Sequence, residues 1–467
     1  MAKEPKVPKE PKAAKEQAPY FNPLPVPPEH VRPPYQLWGW GAGNFGQLGM
    51  GSELLDEYPK PKRNLWIEAQ IKDGVFGEEG AGLEAIAAGG MHTVFIDEKG
   101  TVWSCGVNDE GALGRVTTDV PNPENPEETL DVDQLTATPY SLQTLIDEKF
   151  RAVKIAAGDN ICAAISTEGE LRVWGSFRDN QGSLGFSSDS KRQFLPAPIL
   201  ELKHHAGDVE KFVSVASGNN HLLVLTTHGN VYTLGAGEEG QLGRKVIQRR
   251  KIHGTAPEKI VLGSRTRKAK VVGAGNNASF AVDEKGVVWG WGLNTMAQTG
   301  TGYSNAIIDS EVHSPKEVIG VSKEELGDND EVVQIAGGDH HTLFLTAKGK
   351  VYACGRSNDG QLGLAEDHPA FKDREHDNFL SVPTLITFPD PSDPVVQVSA
   401  GTHNNLAVTA GGALYAWGAQ TQGELGIGDG EEALTPTVVV RKEGGSWSAQ
   451  AVSCGGQHTI ALFRKKT

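Results

Sequence analysis

The chain has 467 residues, 38% of them hydrophobic, with 57 glycines, 26 prolines and a formal net charge of -15 at pH 7. That acid excess excludes a protein that coats nucleic acid with its whole surface, while leaving room for a local basic patch. No apolar run approaches the roughly 20 residues a membrane span needs, and the lysine-rich N terminus lacks the apolar core of a secretion signal, so a soluble intracellular protein without a membrane partner is expected. Cys105, Cys162, Cys354 and Cys454 sit far apart in no metal-ligand spacing, which points to reduced buried thiols and to no metal or other cofactor.

Residues 1–34 are dense in proline, with Lys3, Lys6, Lys9, Lys12 and Lys15 spaced three apart. Such a segment cannot bury a core, and a disordered or polyproline II tail is expected up to residue 34. In polyproline II the five ammonium groups would share one edge. The tail is then either a solubilising extension or an arm that tracks phosphates.

From Gln36 a repeat takes over, and residues 35–467 are expected to form one domain. Its closing phrase has the form of Gly46-Gln47-Leu48-Gly49 and recurs at 111–114, 182–185, 240–243, 297–300, 360–363 and 423–426. Its opening phrase is a small residue and glycine shortly before an apolar strand, as in Gly89-Gly90-Met91-His92-Thr93, and also occurs seven times, the last at Gly455-Gly456-Gln457-His458-Thr459. A proline at or near the head of an apolar run recurs at Pro59, Pro139, Pro196, Pro257, Pro315, Pro383 and Pro436. Each unit therefore offers about four short strands. In the clearest copy, strands are expected at 221–227 and 230–234 around a turn at His228-Gly229.

The phase of the two ends selects the architecture. The chain begins on a closing phrase without an opening and ends on an opening phrase without a closing, so each end supplies half of one unit. A ring completes that unit by pairing N-terminal with C-terminal strands, which removes exposed edges. The expected fold is all-β: a seven-bladed β-propeller closed by its own termini, with a monomer as the default.

Two stretches, 41–46 and 235–240, satisfy the G-x-G-x-x-G pattern of dinucleotide sites, but neither opens a helix and the slot recurs in the blades. His92, His221, His341 and His458 occupy equivalent slots and read as structural hydrogen-bonding groups, whereas His340 adds a second histidine one place earlier. No nucleophile, paired carboxylates or metal cluster stands out, so covalent catalysis is not expected.

Function in a propeller resides where one blade departs from the others. Residues 116–148 carry eight acidic residues and no lysine or arginine. Residues 244–270 carry ten lysines and arginines against the single acid Glu258, which points to an anionic partner. Residues 174–182 put an aromatic, an arginine and polar side chains into a turn able to project as a hairpin.

The phrases AGGMHTVFIDEKG (88–100), NDEGALGR (108–115), VWGSFRDNQG (173–182), LGAGEEGQLGR (234–244) and GGDHHTLFL (337–345) closely resemble the regulator of chromosome condensation family, nuclear guanine-nucleotide exchange factors for the small GTPase Ran. The resemblance spans all seven repeats. It implies that Phe177, Arg178, Asp179 and Asn180 form a wedge pressed against the GTPase. Asn44, Asp159, Asn220, Arg244, His340 and His458 would share that surface.

It also implies that the basic segment, through Arg249, Arg250, Lys251, Arg265, Arg267 and Lys268, reaches the histone acidic patch and DNA phosphates of a nucleosome. A nuclear, chromatin-associated protein serving nucleocytoplasmic transport and mitotic spindle and nuclear envelope assembly is the corresponding expectation. Asn44 and Asn220 stand where the family pattern has aspartate. Asn220 is therefore expected to contribute less to exchange than a carboxylate, and Asn220→Asp to speed it. The alternative reading is a non-catalytic propeller scaffold that binds a different protein.

Overall fold

The computed structural model describes residues 20–123, 125, 127–202, 208–372 and 374–467. Seven four-stranded antiparallel blades follow one another, here numbered 1 (83–141), 2 (152–197), 3 (212–259), 4 (269–317), 5 (332–385) and 6 (395–440), with blade 7 built from both ends of the chain; blades 4 and 5 are joined into one sheet by a parallel pairing of Ala274 with Ala336. In blade 7, Tyr35–Gly41 pairs with His458–Lys465 along its whole length, from Tyr35 opposite Arg464 to Gly41 opposite His458. The innermost strands, from Leu83–Ala88 in blade 1 to Trp447–Cys454 in blade 7, each touch the next, and the last touches the first. Together they line one central channel. The ring is therefore closed, as the phase of the termini requires.

The second strand of each blade is packed on both sides by neighbouring blades, so it shows no in-out alternation. His92–Asp97, His221–Thr226 and His341–Thr346 are buried at every position. The proline landmarks fall in or just before the outermost strands, where a missing N–H faces away from the ladder. The clearest repeat copy forms strands His221–Thr226 and Val231–Gly235 around a turn at His228-Gly229.

Except at 182–185, where the expected closing phrase instead forms a strand of a hairpin in blade 2, the closing phrases are blade-to-blade glue. The carbonyl of Gln241 accepts hydrogen bonds from Trp291 Nε1 at 2.9 Å and Ser279 Oγ at 2.7 Å, both in the following blade. Glu424 and Gln361 repeat the arrangement with Trp40 and Thr459, and with Trp417 and Asn405. Gly243 has φ +62°, and a Cβ there would lie 2.8 Å from the Trp291 ring, so the last position of the phrase needs glycine for both conformation and space. Replacing one of these buried tryptophans with alanine is expected to cost about 3–5 kcal/mol. The recurrent histidines complete the network: His221 meets Ser279 Oγ at 2.7 Å and His341 meets Asn405 Oδ1 at 2.7 Å. Their partners are side chains of the next blade.

The domain boundary differs from the sequence expectation. Residues 1–19 lie outside the described residues, but 20–34 follow a course along the propeller. Asn22 is buried, donating through Nδ2 to the carbonyls of Thr226 and Ala269 and receiving further support through its backbone from Thr227. Leu24 packs on the blade 3–4 core, and Arg32 forms a two-pronged pair with Glu98 at 3.0 Å. Proline density does not prevent such docking, because polyproline backbone needs few internal partners and its side chains can fill grooves between blades. The expectation of a disordered tail up to residue 34 therefore does not hold for residues 20–34, which dock along the propeller as a strap.

Antiparallel blades sort their connections between two faces. Loops joining strands one to two and three to four emerge on one face, and turns joining two to three, with the links to the next blade, emerge on the other. Asp159, Asn220, His340, the 177–185 hairpin and Gln248–Thr255 all belong to the first face. The strap contacts the second.

Candidate partner-binding face

The hairpin is built from Phe177–Asp179 and Gly182–Gly185, within the connection from the third to the fourth strand of blade 2. Phe177 is fully buried among Ile161, Leu222 and Leu234, between blades 2 and 3. Its backbone is thereby fixed to the ring, and its ring cannot press on a partner. This corrects the expectation for Phe177: it anchors the hairpin. At the base, Ser176 Oγ donates to Glu110 at 2.8 Å, and Arg192 pairs with the same carboxylate at 3.0 Å.

Farther out, the hairpin is tied to blade 3. The backbone N–H of Arg178 donates to Asn220 Oδ1 at 2.9 Å, while the Asn220 amide donates to Asp159 Oδ2 at 3.3 Å. At the tip, Asn180 donates from its backbone to Glu238 at 2.6 Å and from its amide to Glu239 at 2.9 Å. Asp179 is ion-paired with Lys251, which also donates to Gln181 Oε1 at 2.9 Å. The Asp179 side chain is only 2% exposed, so its charge is spent internally. Arg178 is what remains: exposed, with a guanidinium that makes no hydrogen bond or ion pair among the described residues.

Around this hairpin the channel mouth is charged. Burial raises the pKa of Asp159, only partly offset by the Asn220 hydrogen bond and the nearby Arg178 charge. Asp339 is held below the ordinary carboxylate value: burial opposes its ionisation, but the hydrogen bond and charge of His340, with His403 and Asn276, outweigh it. The His340 side chain is partly exposed, with its buried Nδ1 2.9 Å from Asp339 Oδ2. Asn44 is exposed in the third-to-fourth-strand connection of blade 7, which leaves on the same face. Asn44, Asp159, Arg178, Asn180, Asn220 and His340 thus share one face.

Two further expected surface residues do not reach it. Arg244 donates to the carbonyls of Gly254 at 3.0 Å and Ala256 at 2.8 Å and pairs with Glu258 at 3.3 Å, stapling its own loop. Arg115, after the closing phrase of blade 1, makes equivalent bonds to Ser104 and Leu135, so the slot is architectural. His458 is fully buried, 3.0 Å from Thr93 Oγ1 across the ring closure, and desolvation lowers its pKa to about 3. It is another member of the histidine network.

The basic segment is divided by its own fold. Strand Glu258–Lys259 crosses blade 3 between its halves. Arg249, Arg250 and Lys251 lie in the helical turns Gln248–Thr255 on the hairpin's face, bordering a cleft of ≈ 480 Å³ shared with Ser187, Ser190 and Lys191. Arg265, Arg267 and Lys268 lie on the opposite face, where Lys268 stacks over Phe21 of the strap at 5.2 Å. Arg267 pairs with buried Asp283 at 3.1 Å and stacks on Trp289 at 4.8 Å, so its charge is structural. Among the described residues, Arg249, Arg250 and Arg265 are exposed and carry no side-chain ion pair. One continuous basic surface from 244 to 270 is therefore excluded, because adjacent connections of a blade leave by opposite ends.

The sequence reading missed Glu110, Glu238, Glu239 and Gln181 as supports of the hairpin. Glu238 and Glu239 occupy the dinucleotide-like phrase at 235–240, where departure from the neighbouring blades was the available signal. Among the described residues no group of three or more histidine, cysteine, aspartate or glutamate side chains is placed to hold a metal. The four cysteines are free and buried, and desolvation pushes the Cys105 thiol up to about 12.

A closed propeller that braces one protruding hairpin, and leaves its arginine unpaired, defines a docking platform for a macromolecular partner. The chain belongs to the RCC1-like domain family, whose model matches residues 36–461. It is 33% identical to the human Regulator of chromosome condensation over 94% of this chain and 92% of that one. It is 30% identical to Guanine nucleotide exchange factor SRM1 of Saccharomyces cerevisiae, covering 92% of this chain and 87% of the relative. The crystal structure of Prp20p from Saccharomyces cerevisiae, described with its binding to Gsp1p and histones, superposes with a TM-score of 0.77 at 29% identity, covering 96% of this chain and 93% of that one.

Proposed function

We propose that this protein is a guanine-nucleotide exchange factor for the small GTPase Ran and that it acts while held on chromatin. The observation that carries the reading is the braced hairpin with its free Arg178, on a chain 30% identical over most of its length to a relative named Guanine nucleotide exchange factor SRM1. A GTPase holds its nucleotide through a phosphate loop, Mg²⁺ and switch segments, so release is slow until those contacts loosen. A partner that binds the nucleotide-free form preferentially must, by linkage, weaken nucleotide binding by the same factor. No nucleophile or proton transfer is required.

In this reading Arg178 and the Asn180 tip meet the GTPase, with Asn44, Asp159, Asn220 and His340 flanking them. Asp179 and Phe177 hold the hairpin rigid from behind, so binding energy is not lost in ordering it. Arg249 and Arg250 contact a carboxylate-rich histone surface, while Arg265 and Lys268, beside the strap, face DNA phosphates. A nuclear location follows from those partners.

The test is release of fluorescent GDP from Ran with and without the protein, with an unrelated GTPase as control. Acceleration restricted to Ran supports the reading. No acceleration leaves the propeller as a scaffold for another partner.

A further inference from the structure

The third-to-fourth-strand connection of blade 4 ends in a loop, 301–310, that displays two isoleucines to solvent. Ile307 is 90% exposed and Ile308 70%. Neither value comes from an unstructured excursion, because the loop is organised by a single carboxylate. Asp309 Oδ2 accepts from the backbone N–H groups of Ser304 at 2.8 Å and Asn305 at 2.9 Å and from Ser304 Oγ at 3.1 Å. These bonds hold the Asp309 carboxyl below its ordinary pKa. Asn305 Oδ1 accepts from the Ile307 N–H at 3.0 Å, and the Asn305 carbonyl accepts from Ile308 and Asp309. The base is pinned by buried Asn294, whose Nδ2 donates to the Asp309 carbonyl at 2.8 Å. A folded turn with two branched apolar side chains at its tip is a poor solution for a solvated loop and a good one for an interface anchor.

The strand topology decides which interface. The loop leaves blade 4 on the same face as the hairpin, one blade beyond Glu238, Glu239 and Lys251. Phe45 and Ile247 also show apolar surface on that face, at 53% and 57%, but each is a single side chain less exposed than the Ile307–Ile308 pair, and Phe177 is buried. Interfaces of this kind draw most of their binding energy from a few desolvated anchors. We propose that Ile307 and Ile308 form the apolar anchor of the GTPase-binding face, inserting between side chains of the same GTPase whose nucleotide site the hairpin addresses. This rests on the function proposed above. The anchor strengthens association, while Arg178 at the hairpin acts on release.

The experiment is steady-state GDP release from Ran across a range of Ran concentrations, with wild type, Ile307→Ser/Ile308→Ser and Arg178→Ala, each verified as folded by circular dichroism. The double serine variant is expected to raise KM about tenfold with kcat unchanged, the loss that withdrawing two partly buried isoleucines produces. Its affinity for nucleotide-free Ran should fall by the same factor. An unchanged KM and affinity in the folded variant overturns the anchor while leaving the exchange function standing. Wild type that fails to accelerate release overturns the parent function and the named occupant with it. Concentration-dependent dimerisation of wild type, abolished in the double variant with KM unaltered, would reassign the loop to a second copy of the chain.

Discussion

Asn220→Asp is the substitution on which sequence comparison and geometry disagree most sharply. The resemblance implies aspartate at this position, from which faster exchange on restoring the charge is the expectation. In the structure the amide donates to Asp159 Oδ2 at 3.3 Å while its carbonyl oxygen receives the Arg178 N–H. Aspartate keeps the second contact and turns the first into a clash of carboxylates. Two full charges 3.3 Å apart repel by about 5 kcal/mol at an effective dielectric of about 20, an upper bound because Arg178 offsets part of it. The pair escapes by retaining one proton, and burial has already raised the Asp159 pKa. An acid whose folded-state pKa lies above its unfolded value of about 3.9 carries a penalty that is absent below that unfolded value, grows as pH rises above it and is complete once pH has passed the folded value. The stability gap between wild type and variant should therefore widen as pH rises above about 4, read as denaturation midpoints. Exchange at pH 8 should be slower in the variant, because a displaced Asp159 loosens the hairpin. The swap Asp159→Asn/Asn220→Asp, which restores one amide and one carboxylate, should recover most of both. A variant that is faster than wild type at pH 8 with a pH-independent stability gap would refute the reasoning and return the position to direct attraction of a partner cation.

Arg178→Ala should leave the unfolding midpoint unchanged and weaken the GTPase interaction by about 2 kcal/mol, roughly 30-fold, measured as kcat/KM for GDP release. Arg249→Glu/Arg250→Glu should reduce nucleosome binding and its dependence on salt without affecting exchange, whereas Lys251→Glu should impair exchange on free Ran because it places like charge against Asp179. Identical effects of the two reversals on exchange would remove Lys251 from the support of the hairpin. The buried histidines should make the fold acid-sensitive. Desolvation lowers His92, His221 and His341 to about 4 and His458 to about 3, so the stability they contribute as neutral groups is present above about pH 6.5 and lost as pH falls toward those values. His458→Gln should flatten the fall of unfolding free energy between pH 6.5 and 4 while leaving exchange by the folded protein intact.

The ring was legible because it is written seven times. The opening and closing phrases record one physical arrangement, in which a glycine makes room for the next blade's tryptophan and a carbonyl receives two donors. The half-unit at each end then left closure as the solution that satisfies every strand edge. Arg178 was legible as a surface residue because its phrase interrupts the repeat. Phe177 was not, since the same projecting turn needs one side chain directed inward, and alternation along Phe177–Asp179 decides which. His458 and Arg244 were assigned to the surface by family likeness, although each also occupies a slot that recurs in other blades. Recurrence was the better guide to burial.

The basic segment shows why linear charge density does not define a surface here. Ten cations within 244–270 suggest one patch, yet a single strand crossing sends Arg249 and Arg250 to the hairpin's face and Arg265 and Lys268 to the strap's face. Two of the remaining cations are committed to the fold: Arg244 to its own loop's carbonyls, and Arg267 to Asp283 and Trp289. Lys251 braces the hairpin. Charge in this segment therefore does three different jobs within 27 positions, closing a loop, stiffening a neighbouring blade's projection and remaining free for an anion. Which job each residue has depends on the end of the blade from which its connection leaves. In a propeller that end alternates with every strand, so residues ten apart in sequence can lie on opposite faces while residues some seventy apart, such as Asp179 and Lys251, meet.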